Sequence, residues 1–326
     1  LIRYRTFRNS DPPALAEIWR SQPPQPRLAQ PMSATVWEQY VLGKTYFDPH
    51  GLIVATDGAR PIGFVHAGFG PTQDLGALEY SRGVLCRLMT TSHPDRGVVA
   101  SELLAAAEDY LARRGAQSVV VDHLTGLGPF YLGLYGSASL AGVVASDAAL
   151  LETLGLHGYV PAEPQFIVQR NLAGFRPPMD RDQLRLRRLL EVRERHDPVA
   201  TSWWEACATS HLERTLFEIA PRGGGTPQAA VLINHLPLFG QIWGVQSAGI
   251  EHVSASAEAW QNGLVTMLVA DSLKALSAQG TMLVEAVVEG TLSPLAGVLR
   301  ALGFSDAERG IPMYKSLGNQ APTSSG

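Results

Sequence analysis

The chain has 326 residues, enough on a soft length prior for two domains, each with a core of its own. Its 45% hydrophobic and 17% charged residues describe a folded chain and exclude a disordered one, and a net charge of −4 leaves no electrostatic footprint for nucleic acid. Cys86 and Cys207 supply neither a disulfide framework nor a zinc cluster, and no apolar run approaches the roughly 18 residues of a membrane span; a cytoplasmic protein without a membrane or nucleic-acid partner is expected.

Residues 2–6 read as an edge strand, and Asp11-Pro12-Pro13 ahead of ALAEIW is a helix start with proline just inside the first turn. The proline-rich residues 21–31 cannot continue that helix and predict a loop, either over a binding site or as a plain connector. Residues 52–56 and 62–69, joined by DGARP, predict a hairpin, and residues 83–91 the next strand. Residues 90–121 then read as strand end, Arg-Gly turn, alanine-rich helix and strand. Val99, Leu103, Ala107, Tyr110 and Leu111 recur at helical spacing, two arginines suit the helix C-terminus, and Gly115 stops it. A strand that breaks on a glycine turn into a helix leaves free N–H groups at the positive end of the helix dipole, a place for a phosphate.

Residues 126–147, rich in glycine and aromatics, form a loop long enough to predict either a cover over a functional pocket or a flap between two halves. Residues 173–183 read as a linker. Residues 183–195 predict an edge strand or a helix with its arginines in solvent, and residues 202–217 a helix that buries an aromatic face with Trp203 and Trp204. Trp243 and Trp260 are read as core, and residues 318–326 as a disordered tail.

The strand–turn–helix–strand unit recurs at residues 254–288. There Asn262 is the expected N-cap, Gly263 the turn, and Val265, Leu268, Val269, Leu273 and Leu276 the apolar stripe. Gly280 ends this helix as Gly115 ends the first, an offset of 165 residues. The endings also correspond, LGLHGYV at 154–160 with LGF at 302–304, but at an offset of 148, so the first copy carries 17 extra residues. Two divergent copies of one domain account for this.

HPDRGVVASELL at 93–104, together with those endings before a last strand, resembles the GNAT superfamily of N-acyltransferases in tandem. The resemblance implies an α+β or α/β fold of two GNAT-like domains, each a mixed twisted sheet flanked by helices, at residues 1–172 and 184–317. It implies acyl-coenzyme A, usually acetyl-coenzyme A, as cofactor and a small-molecule or peptide amine as acceptor. Its pyrophosphate is expected on the backbone of Arg96, Gly97, Val98, Val99, Ala100 and Ser101, or in the second copy on Gly263, Leu264 and Val265. Its pantetheine arm is expected along Met89, Thr90 and Thr91. The superfamily's Gln/Arg-x-x-Gly-x-Gly/Ala signature is imperfect in both copies: Val98 stands where the second glycine belongs, and the second copy lacks the leading Gln/Arg.

Direct transfer needs a base for the ammonium and an acid for the departing thiolate. The resemblance places a tyrosine acid where this chain has Leu151 and Leu299, so substitutes are sought in Tyr131 and Tyr135 of the long loop. The base is sought in Glu79 or Asp122, with the first copy as the working one. The alternative is a tandem in which neither copy does chemistry and the cleft binds a ligand or partner. The sequence has no HExxH, Gly-x-Ser-x-Gly or Walker lysine loop, and its nine histidines lack ligand spacing, so no metal site is expected.

Overall fold

The computed structural model describes residues 1–121, 126–178 and 181–318. The first half runs β1 (Ile2–Thr6), α1 (Pro12–Arg20), α2 (Ala34–Trp37), β2 (Leu52–Asp57), β3 (Arg60–Pro71), β4 (Leu78–Thr90), α3 (Arg96–Arg113), β5 (Ser118–Val121), β6 (Val143–Val144), α4 (Ala148–Leu156), β7 (Val160–Pro161) and β8 (Gln165–Asn171). The second runs α5 (Arg181–Leu189), β9 (Leu190–His196), α6 (Trp203–Thr209), β10 (Arg214–Pro221), β11 (Ala229–His235), α7 (Gly240–Trp243), β12 (Ser247–Ala255), α8 (Ala257–Gln261), α9 (Leu264–Ala278), β13 (Leu283–Glu289), α10 (Pro294–Ala301), β14 (Ser305–Ile311) and β15 (Met313–Ser316).

Local chemistry accounts for these boundaries. Pro12 and Pro13 open α1, while Asp11 leaves the helix N–H groups alone and takes a two-pronged ion pair from Arg5 at 2.7 and 2.8 Å. The stripe of α3 is buried at Val99, Leu103, Ala107, Tyr110 and Leu111, and Gly115 ends the turn at φ 104°. In α9, Leu268, Leu273 and Leu276 are buried against the second sheet, each worth roughly 1.5–3 kcal/mol relative to exposure. The expected helix over 202–217 is shorter than its pattern. α6 ends at Thr209, and from Arg214 the alternation of buried Thr215, Phe217 and Ile219 with their neighbours makes a strand. The basic stretch is both of the forms expected for it, helix α5 and then edge strand β9.

Two mixed sheets flanked by helices result, one of seven strands in the order β1-β2-β3-β4-β5-β15-β7 and one of eight, β6-β14-β8-β13-β12-β11-β10-β9. The sheets exchange strands. β8, from the end of the first copy, lies between β13 and β14 of the second, and β15, from the end of the second, lies between β5 and β7 of the first. Sheet membership therefore does not follow the division into residues 1–172 and 184–317. The tail from 319 on lies outside the described residues.

The copies share one device at their centres. β4 and β5 are parallel from Arg82 opposite Ser118 to Leu85 opposite Val121, and β12 and β13 from Ser247 opposite Leu283 to Ile250 opposite Ala286. Among the described residues neither couple of central strands has a pair beyond these. At that point β4 carries a bulge at Cys86, between the pairs Ala67–Leu85 and His66–Arg87. β12 carries one at Glu251, between Ile233–Ile250 and Leu232–His252. Cys86 and Glu251 thus occupy the same place in the two copies.

Candidate active site

Most of the residues proposed for the first copy do not converge. Glu79 sits at the start of β4, far along the strand from the Cys86 bulge. Its carboxylate accepts the Ser81 N–H at 2.7 Å, which holds it below the usual glutamate range. Asp122 lies outside the described residues. Tyr131 and Tyr135 belong to the core. The Tyr131 ring is fully buried, stacks on Trp19 at 6.0 Å and meets His66 Nδ1 through its hydroxyl at 3.0 Å, while the Arg87 guanidinium lies 3.5 Å over the ring of Tyr135.

Met89, Thr90 and Thr91 do end β4, but Gln22 Nε2 donates to the Thr90 carbonyl at 3.1 Å and the Thr91 N–H is bonded to Ile62. Arg96, Gly97 and Val98 form the exposed first turn of α3, with Val99 and Ala100 buried beneath and Ser101 half-buried. The turn is real, and the N–H groups of Gly97 and Val98 have no carbonyl partner within the helix.

The long loop fills one face of the first sheet among the described residues. Phe130, Tyr131 and Leu134 pack with Trp19, Trp37 and Phe64 on the face of the first sheet that meets α1. At the mouth by Arg87 and Tyr135 a cavity of only about 20 Å³ remains. The proline-rich segment is structural too. Arg27, Leu28 and Ala29 are buried, Ala29 N–H bonds to Leu134, and Pro26 accepts from the Trp243 indole at 2.8 Å.

On the corresponding face of the second copy the register puts smaller groups. Where the first has Phe64 opposite Met89 and His66 opposite Arg87, the second has Ala230 opposite Ser254 and Leu232 opposite His252. A cavity of about 450 Å³ opens there. Its floor is Leu216, Ala230 and Leu232, with Glu251 at the deep edge and Trp204 and Glu205 of α6 at the side. Its far wall comes from the first copy, with Leu75 from the β3–β4 turn and Leu127 from the long loop. Trp204 pins that wall, because its backbone N–H bonds to the Leu75 carbonyl at 3.1 Å and its indole N–H to the Leu127 carbonyl at 3.0 Å.

Sequence reasoning missed this group of polar residues. Arg214, from the first position of β10, is buried and donates to Glu205 Oε1 at 2.8 Å and to Glu251 Oε1 at 3.0 Å. Thr201 donates its N–H and hydroxyl to Glu205 Oε2 at 2.7 and 2.6 Å. Burial alone would raise the Glu205 carboxyl, but the bonds from Thr201 and Arg214 outweigh it and hold Glu205 below its usual range. Glu251 goes the other way: burial raises it above the usual glutamate range against the pull of Arg214 and Asn234. Its side chain is 8% exposed, and with the Asn234 amide near the carboxyl, Oε2 still completes no hydrogen bond among the described residues. Two carboxyls on one guanidinium are thus driven apart, one fixed as an anion and one disposed to take a proton. The missed signal was arithmetic, since the 165-residue offset carried back from Gly280 puts Glu251 on Cys86.

The second copy's helix entry also differs from expectation. Asn262 closes α8, and Gly263, at φ 77°, takes the N-cap position of α9 with no side chain to cap it. Leu264 and Val265 follow with buried side chains. Leu299 and Leu151 stand at the expected tyrosine positions, the first buried and the second half-buried. Among the described residues no group of three His, Cys, Asp or Glu side chains is placed to hold a metal, and no helix is long and apolar enough to cross a membrane.

No protein-family model matches the sequence, and no curated protein matches it. Solved structures do. One is a GCN5-related glucosamine N-acetyltransferase region of a fungal multi-domain β-N-acetylglucosaminidase. It matches 97% of this chain with a TM-score of 0.72 at 15% identity, and this chain spans only 38% of that protein. A second is a tandem GNAT protein from the clavulanic acid biosynthesis pathway, with 98% of this chain and 99% of that one covered, TM-score 0.65 and 13% identity. A third is a GCN5-related N-acetyltransferase from Sphaerobacter thermophilus, covering 97% and 95%, with a TM-score of 0.58 at 14% identity. The strand order, the paired central openings and these likenesses together establish that the chain has the tandem GNAT fold.

Proposed function

We propose that the protein is an acyl-coenzyme A-dependent N-acyltransferase whose working site is in the second copy, with Glu251 as the general base. One observation carries this reading. The same sheet face is filled by Phe130 and Tyr131 in the first copy, and in the second it is an open cavity with a buried, partly unpaired carboxyl at its deep edge.

The chain's own groups fit the cofactor the fold implies. Beyond Ile250 the edge of β12 has no strand partner toward β13 among the described residues, which leaves backbone groups for a pantetheine arm. The uncapped start of α9 at Gly263, Leu264 and Val265 offers N–H groups to a pyrophosphate. The matching edge of the first copy is engaged by Gln22. When bound, the cofactor supplies the acyl thioester.

The protein's part is to hold and deprotonate the amine. An acceptor ammonium entering over Leu216 and Leu232 meets Glu251 Oε2, loses a proton to it and becomes nucleophilic. Arg214 keeps Glu251 oriented through Oε1 and, being shared with Glu205, does not fully neutralise it. The apolar floor excludes water that would compete as nucleophile. Leu299 in place of a tyrosine favours a second reading, a binding scaffold without turnover.

The test is thiol release from acetyl-coenzyme A over a panel of amines, with a thermal-shift titration alongside. Glu251→Gln is expected to lower kcat/KM by roughly 10²–10⁴-fold while the acetyl-coenzyme A shift persists; Cys86→Ala, at the matching bulge, should leave turnover unchanged. A cofactor shift with no turnover on any amine would support the scaffold. Unimpaired turnover in Glu251→Gln would remove Glu251 from the chemistry.

A further inference from the structure

Resting on the reading of this cavity as the acceptor site, we propose that the acceptor is a primary amine carried on an apolar body, aliphatic or aromatic, and that the first copy selects it through Leu75 and Leu127.

The cavity divides by chemistry. Its depth holds the buried, unpartnered Oε2 of Glu251, beside an Arg214 already committed to Glu205 and to the other oxygen of Glu251. With Glu251 ionised, two carboxylates around one guanidinium carry a net negative charge, and a short cation is the group that satisfies it. The rest of the lining is mostly apolar, with Leu216, Leu232, Trp204, Leu127 and Leu75 contributing more surface than the polar groups of Ser139, Thr201, Ser202, His252 and Ser254. At about 450 Å³ the space lies in the range of small-molecule pockets, roughly 300–1,000 Å³. A polyamine would carry its inner charges into this mostly apolar lining, and a sugar amine would strip more hydroxyls of water than the few polar side chains there can replace.

The wall shows signs of being built for this. Leu75 has φ 58°, a left-handed backbone that a leucine rarely adopts, and its side chain is 38% exposed although large and apolar. Its turn is held by Thr72 and Asp74, whose bonds include Asp74 Oδ1 to the Gly76 N–H at 3.2 Å, and its carbonyl is taken by Trp204. The leucine is therefore presented over the cavity by a turn fixed at both ends. Leu127 is fixed the same way by the Trp204 indole. The first copy, its own face filled, thus supplies the wall of the second copy's pocket.

The experiment is calorimetric titration of the full chain with phenethylamine, n-hexylamine, glucosamine and spermidine, and separately with acetyl-coenzyme A. Phenethylamine and hexylamine are expected to bind, glucosamine and spermidine not. Leu75→Ser, in an exposed turn that should fold normally, and Leu127→Asn should each weaken phenethylamine about tenfold without altering acetyl-coenzyme A binding. Glu251→Gln should abolish amine binding. Glucosamine or spermidine binding as tightly as phenethylamine would overturn the proposal, as would phenethylamine binding indifferent to Leu75→Ser and Leu127→Asn. Apolar amines that bind while acetyl-coenzyme A does not would leave this inference standing and sink the acyltransferase reading. The reverse pattern would sink this inference alone.

Discussion

Arg27 and Glu285 meet as a buried two-pronged ion pair across the two copies, Nη1 to Oε2 at 2.8 Å and Nη2 to Oε1 at 2.7 Å. Arg27 comes from the proline-rich loop of the first copy and Glu285 from the middle of β13, and Oε2 also accepts the Ser137 N–H of the long loop at 2.9 Å. One carboxylate therefore ties the proline-rich loop, the long loop and the second sheet together. Removing only one partner leaves a charge in the interior, so Glu285→Ala is expected to lose about 3–5 kcal/mol in urea unfolding. The double variant Arg27→Met/Glu285→Leu should recover much of that, because the desolvation of both charges disappears with their attraction. A double variant as unstable as the single would mean that the Ser137 bond, not the ion pair, is what matters.

The exchanged strands make each sheet depend on the other half of the chain. β15 covers the edge of β5, with Met313 opposite Val121 and Ser316 opposite Ser118. Deleting residues 312–318 strips that edge, leaving β5 bonded on one side only. Hydrogen exchange at Val119 and Val121 is expected to accelerate by orders of magnitude, while the amides of β12 and β11 stay protected. Equal acceleration in both sheets would show that the copies unfold as one unit.

Two buried histidines set the acid limit of the fold. His66, inside the first core, is pushed down to about 3 by burial, and His211 to about 3 by burial and the adjacent Lys44. Lys44 is itself lowered to about 8 by burial. Its ammonium donates to the carbonyls of Cys207 and Ala208 at 3.1 and 2.8 Å and lies 2.6 Å from His211 Nδ1, so that nitrogen accepts and the proton sits on Nε2, facing the Leu132 carbonyl. Both histidines are depressed in the fold, so the unfolded chain binds their protons first. The stability they confer is present above pH 6.5 and is lost as pH falls from there toward 3, at about 1.4 kcal/mol per pH unit for each histidine. Unfolding free energies between pH 7 and 4.5 check this. His211→Asn should remove one histidine's share of the slope, and an NMR titration of either ring near 6.5 in the folded protein would refute it.

How much of this was legible in the sequence depended on whether a feature is local. The glycine stops at Gly115 and Gly280, the Pro12 helix start and the hairpin around Gly58 follow from backbone sterics at a few residues, and the structure has them all. The exchange of β8 and β15 was not legible, because a short alternating strand carries no mark of which sheet it joins. The long loop packs Tyr131 into the first core and sets Leu127 against a cavity on the second copy, and no local pattern separates two sides of one loop. The polar group around Arg214 was not foreseen because its parts come from α6, β10 and β12, far apart in the chain. Arg214, Glu205 and Glu251 gain meaning only when the sheet brings them together.

The two glycine turns, alike in sequence, are expected to behave differently. Gly97 has an ordinary backbone, and a Cβ added there meets nothing within 4 Å. Gly263 has φ 77° at the start of α9, where any side chain is strained. Gly97→Ala should therefore be near neutral and Gly263→Ala destabilising by about 1 kcal/mol. A glutamate in the first turn suits a helix dipole, so Gly97→Glu should also fold, and Gly263→Glu should fold less the strain of its left-handed backbone. Their effects on cofactor binding then separate the copies. With the working site in the second, the midpoint rise given by acetyl-coenzyme A should survive Gly97→Glu and vanish in Gly263→Glu, where a carboxylate meets the pyrophosphate. The opposite pattern would move the cofactor to the first copy and leave the cavity at Glu251 without a donor.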